Sequence, residues 1–179
     1  LMTPDMPSGT PPGPPTTAIP VPARQLGLAV PLTWRRRSDP DRGVLLAARA
    51  TWLPPSGVRP ELVLRICRAD AGEDLTAWRE RVMGELADLL VDFALEDGGE
   101  GSEYDRTGHP VAYRRFAHRL GSTDVLCDQW AWLLVEAGVG AGVGVGITLT
   151  CSVAREEYGE YCDAFQAIAA SLDPSPEAA

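Results

Sequence analysis

The chain has 179 residues, 45% hydrophobic and 23% charged, with a net charge of −9 and a pI near 4.7. These values describe one soluble globular domain, long enough to bury a core. They exclude a nucleic-acid footprint, which needs clustered positive charge, and no apolar run approaches the ~18–20 residues of a membrane-spanning helix.

All basic residues are arginine and there is no asparagine, the usage of a GC-rich, actinobacterial kind of genome. No charged stretch followed by an apolar run marks a secretory leader, so a cytoplasmic protein is expected, or an exported or lipid-anchored one if a leader was trimmed. Cys67, Cys127, Cys151 and Cys162 form no CxxC pair and read as buried free thiols.

In chain order, residues 1–22 hold eight of the sixteen prolines and read as a disordered, partly polyproline-like tail. One domain follows over 23–173, then a short tail over 174–179. Arg24–Trp34 is an extended segment with Leu28, Val30, Leu32 and Trp34 in alternation. Arg35, Arg36 and Arg37 then open a solvated turn. A strand over Val44–Trp52 places Val44, Leu46, Ala48, Ala50 and Trp52 on one face, and Pro54-Pro55-Ser56-Gly57 breaks it. Glu61–Arg68 is a third strand with Leu62, Leu64 and Ile66 inward.

Asp70 or Asp74 can cap a helix from Leu75 whose stripe is Leu75, Trp78, Val82, Leu86 and Leu89, with Arg79, Glu80, Arg81 and Glu85 outside. A short strand near Leu90–Leu95 leads into an acidic loop, Glu96 to Asp105, without the ligand spacing of a calcium-binding EF-hand. Gly108-His109-Pro110 turns into a strand over Val111–Leu120. The organising stretch is Asp124–Val153: two β-rich arms around a glycine-rich connector, an antiparallel hairpin. Its second arm alternates Ile147, Leu149, Cys151 and Val153 against Thr148, Thr150 and Ser152. A helix over about Arg155–Leu172 lays Tyr158, Tyr161, Phe165, Ile168 and Leu172 on the sheet. The fold class is therefore α+β, an antiparallel sheet covered by an internal and a C-terminal helix.

Few residues invite chemistry. The connector contains no GxGxxG and runs strand to strand, so it lacks the helix N-terminus of a phosphate cradle. His109 and His118 have no metal-ligand spacing, and no metal or cofactor is expected. An enzyme would have to use His118, Cys127 or a carboxylate. Trp130 and Trp132 share a face of the first hairpin arm with Asp128 and Leu134, and register decides their fate. Facing Leu149 and Cys151 they are core; facing Thr148 and Thr150 they form an aromatic patch with Arg114 nearby. Trp130, Trp132, Asp128 and Arg114 are the candidate binding residues. Core-facing Ala48, Ala50 and Ala131 suggest an alternative, a cavity for a small apolar ligand.

Three short motifs carry a family resemblance. Val30-Pro31-Leu32-Thr33-Trp34 resembles the opening Pro-x-Gly-Trp step of the PsbP-like α/β/α fold, with Thr33 where glycine is usual. Gly108-His109-Pro110-Val111 resembles its Gly-x-Pro turn. Ile147–Cys151 with Tyr158, Phe165, Ile168 and Leu172 is similar to its closing strand and helix. Within that fold the chain resembles the LpqN-type and DcrB-type accessory proteins of bacteria, over roughly residues 24–172. The resemblance implies a non-enzymatic adaptor or secretion-associated chaperone. Its partner is expected to be another protein, secreted or membrane-associated, and a homodimer is compatible with it.

Overall fold

The computed structural model describes residues 16–19, 26–98, 103–135 and 144–174. The described elements are β1 (Thr16–Ile19), β2 (Leu28–Pro31), β3 (Arg35–Asp39), β4 (Val44–Arg49), β5 (Glu61–Arg68) and α1 (Leu75–Leu89). After them come β6 (Ala94–Asp97), β7 (Glu103–Tyr104), β8 (Pro110–Leu120), β9 (Thr123–Val135), β10 (Gly144–Ala154) and α2 (Tyr158–Ser171). One antiparallel sheet runs β3-β4-β5-β10-β9-β8-β6, with β7 added on β8. β1 pairs separately with β2, so the proline-rich segment expected to be a tail carries a strand at Thr16–Ile19.

The hairpin of β9 and β10 holds the centre, with Ile147 opposite Trp132 and Leu149 opposite Trp130. That register puts both tryptophans on the core face. α2 covers this face: Phe165, Ile168 and Leu172 pack with Leu62, Leu64, Ile147 and Leu149. The other face carries Thr148, Thr150 and Gln129, and α1 covers its β8–β9–β10 part. There Trp78 lies over Ala131 and Gly146, while Met83 packs with Phe116 and Cys127. Asp74 caps α1, its Oδ1 accepting from the Ala77 amide at 2.8 Å.

Several details depart from the sequence expectation. Arg35–Arg37 belong to a strand, because the chain turns earlier, the Trp34 amide donating to the Pro31 carbonyl at 3.1 Å. Leu32 falls in that turn and is exposed. β4 stops at Arg49 and leaves Trp52 exposed beyond it. Arg79, expected outside, is fully buried. The alanines divide: Ala48 and Ala50 lie in the α2-side core, Ala131 beneath Trp78 on the other face, where a large ring occupies the space a cavity would need. Most of the glycine connector lies outside the described residues, but Gly144 and Gly146 belong to β10. All four cysteines are free, and Cys67 is exposed where a buried thiol is expected.

Candidate functional site

A groove of about 430 Å³ opens on the α2 side of the sheet, at its β8 end. Trp130, Trp132 and Tyr113 form its floor, Gln166, Ala169 and Ala170 of α2 one wall, and the 103–106 segment the other. Trp132 is 1% exposed, and its indole Nε1 donates to Asp105 Oδ2 at 2.9 Å. Asp105 is the local keystone: its Oδ1 also accepts from the Thr107 amide at 2.8 Å and the His109 amide at 2.9 Å. Burial pushes the Asp105 carboxyl up, but the hydrogen bonds from Thr107, His109 and Trp132 outweigh it and hold it below the ordinary aspartate value.

Trp130 is only partly buried. Its ring stacks on Tyr113 with centroids 5.4 Å apart and planes at 47°, a favourable tilted geometry. Tyr113 is in turn tied down beneath the groove. Its hydroxyl donates to Asp128 Oδ1 at 2.5 Å, and the Tyr158 hydroxyl donates to Asp128 Oδ2 at 2.9 Å. Asp128 is 1% exposed, a depth at which a carboxylate survives only with such donors. The Arg115 guanidinium sits 5.7 Å from the centroid of the Tyr158 ring. Burial, reinforced by the Asp128 carboxylate, raises the Tyr113 hydroxyl well above the ordinary tyrosine value.

The four residues singled out from sequence therefore separate. Trp130 and Trp132 line the groove, and Asp128 supports it from below through Tyr113. Arg114 stands opposite Gln129 in the register, on the other face of the sheet, and reaches the groove only at the margin of β8, its Nη1 donating to the Tyr113 carbonyl at 2.8 Å. Sequence reasoning missed Tyr113, Tyr158 and Asp105. The spacing Asp105-x-Thr107-x-His109 was a readable sign of an Asx-type turn, whereas pairing Tyr113 with Trp130 required the register.

The groups proposed for catalysis lie elsewhere. Cys127 is buried on the α1 face, and burial pushes its thiol up to about 12, so it is a neutral thiol at pH 7. His118 stands opposite Val125, a diagonal neighbour of Cys127, and burial lowers its pKa. Among the described residues no three His, Cys, Asp or Glu side chains cluster as metal ligands, and no helix is long and apolar enough to cross a membrane.

No family model matches the sequence, and no curated protein matches it. Solved structures do match the architecture. LpqN of Mycobacterium tuberculosis, involved in cell envelope biogenesis, aligns with a TM-score of 0.57 at 16% identity, covering 79% of this chain and 78% of that one. Cyanobacterial PsbP (CyanoP) from Synechocystis sp. PCC 6803 aligns with a TM-score of 0.55 at 16% identity, over 82% and 84% of the two chains. The fold is PsbP-like. A third match, the Pseudomonas aeruginosa protein of unknown function PA94, has a TM-score of 0.56 at 14% identity, over 83% and 91% of the two chains. At such identities the likeness carries the α+β sheet-and-helix architecture and no activity.

Proposed function

We propose that this PsbP-like chain is a non-enzymatic accessory module that binds another protein, secreted or membrane-associated, as an adaptor or chaperone. The observation that carries the reading is the partly exposed Trp130, stacked on Tyr113 at the floor of an open groove. A rigid aromatic held from below gives large contact area with little entropy left to lose, the character of an interface anchor. The walls add Asp97, Glu103, Asp105 and Arg106, so apolar floor and polar rim are both present. The match to a protein of cell envelope biogenesis agrees with an accessory role.

The test is a photo-crosslinking residue at Gln166, on the groove wall, in the native organism. A crosslinked protein partner that is lost with Trp130→Ala, while the variant keeps its unfolding free energy within about 2 kcal/mol of the parent, supports the reading. Crosslinking that survives Trp130→Ala overturns it. Trp132→Ala is unsuitable as a probe, since truncating so buried a ring costs about 3–5 kcal/mol in stability alone.

One observation favours a second reading, carriage of a small apolar ligand: the groove falls within the ~300–1,000 Å³ of small-molecule sites. Native mass spectrometry of the purified protein separates the two, because a carrier retains a bound small molecule that Trp130→Ala releases.

A further inference from the structure

We propose that the open face of β3, β4 and β5 is a second docking surface, which takes an acidic, extended segment of a partner protein on Arg35, Arg37, Arg49, Arg59 and Arg65. This surface lies on the opposite side of the sheet from the aromatic groove and towards the other edge, so it stands independently of that site.

The sheet has two different halves on its α1 side. Trp78 and Met83 of α1 cover the part built from β8, β9 and β10. Among the described residues no helix lies over the β3–β5 part, and Arg35, Arg37, Arg49 and Arg65 are exposed there. The register explains why they share a face. Arg35 stands opposite Arg49, which stands opposite Glu61; Arg37 stands opposite Ala47, which stands opposite Val63. Arg65 follows Glu61 and Val63 at two-residue steps along β5, and Arg59 joins from the loop ahead of that strand. Two depressions mark the surface. One, of about 220 Å³, is lined by Arg35, Arg49 and Arg59 with Ala50 and Thr51. The other, of about 140 Å³, lies between Arg35, Arg37 and Arg49 over Ala47, with Glu61 at its margin.

Three observations set these arginines apart from ordinary surface charge. The five are gathered on one face with no ion pair to a described carboxylate, whereas Arg42, Arg81, Arg119 and Arg155 each have one and the unpaired Arg68 and Arg106 stand outside the cluster. Arg35 and Arg49 are like charges directly opposite one another, an arrangement that destabilises a sheet. And the cluster stands on a chain whose net charge is −9, a concentrated positive patch on an acidic molecule and so a favoured point of approach for an acidic partner.

The spacing selects the occupant. Arg35 and Arg37 are two residues apart on one strand, about 6.7 Å, and neighbouring strands add steps of about 4.8 Å. Carboxylates on alternate residues of an extended segment repeat at that same ~6.7 Å, and a guanidinium fork meets a carboxylate bidentately. A single phosphate spans only the Arg35–Arg49–Arg59 group and leaves Arg37 and Arg65 unused.

The probe is a fluorescein-labelled peptide of alternating glutamate and threonine, its binding to the full chain followed by anisotropy at rising salt. Salt-sensitive binding that falls at least tenfold in the pair Arg35→Glu and Arg49→Glu, but not in Arg119→Glu or Trp130→Ala, supports the surface. If the double variant unfolds, Arg37→Gln with Arg65→Gln reads the same face, and a loss of at least threefold is expected. Peptide that fails to bind, or binds these variants as well as the parent, overturns the proposal. So does binding of tripolyphosphate, or of phosphatidylglycerol vesicles, in place of the peptide through the same arginines.

Discussion

Gly146 shows how much one residue can decide. A Cβ built there would lie 2.1 Å from Cζ2 of Trp78, inside the ring that seals α1 onto the sheet. Gly146→Ala must therefore push the helix away, and overpacking of this kind costs about 1–3 kcal/mol. Gly84, inside α1 with nothing within 4 Å of an added Cβ, gives the opposite result. Gly84→Ala is expected to stabilise by about 0.5–1 kcal/mol through helix propensity alone. Urea unfolding midpoints of the two variants, moving in opposite directions, check the assignment. Arg79 is the other decisive residue. It is fully buried; its Nη1 donates to Gln129 Oε1 at 2.5 Å, while its Nε and Nη2 have no hydrogen-bond partner. Burial and the neighbouring Arg114 lower its pKa to about 10. Helical spacing placed it outside, beside Glu80 and Arg81, because a charged side chain next to a narrow apolar stripe normally belongs to solvent.

Between elements, the carboxylate of Asp128 acts as a joint. It takes hydroxyl donors from β8 through Tyr113 and from α2 through Tyr158, so one buried group connects strand, neighbouring strand and covering helix. Both tyrosines have pKa values raised by burial above the ordinary 10.0. An acid whose folded-state pKa is raised binds its proton more tightly in the native state, so its contribution is complete below pH 10 and is lost as pH rises beyond it. The unfolding free energy should fall as pH rises from about 10 upward. Tyr113→Phe should be about 1 kcal/mol less stable near neutrality, yet decline less steeply over that alkaline range. An equal slope in both proteins removes the joint from the account. The same connection holds the groove in shape, since Tyr113 carries Trp130.

On the scale of the whole molecule, the two faces of one sheet do different work. Among the described residues, α2 covers one face, with the aromatic groove at its β8 end, and α1 covers the β8–β10 part of the other face, leaving the β3–β5 part without a helix. Thiol chemistry reads this division directly. Cys127 and Cys151 are buried with raised pKa values, whereas Cys67 is exposed and Cys162 half-buried. In the native protein at pH 8 an alkylating reagent should label Cys67 and Cys162, and reach Cys127 and Cys151 only on unfolding. Mass spectrometry of labelled peptides across a urea series would show it; early labelling of Cys151 would contradict the sealed core. The hairpin, the alternation in β10 and the stripe of α2 were legible in the chain because each follows from a local period, two for a strand and 3.6 for a helix. Register was not local. Which face received Trp130 and Trp132, that Arg114 went to the opposite side from them, and that Arg35 came to face Arg49 all depended on how one strand pairs with the next, while Arg79 was drawn inside by the docking of α1. A shift of one residue would have reversed each of those faces without altering any local pattern, so only the assembled sheet could choose among them.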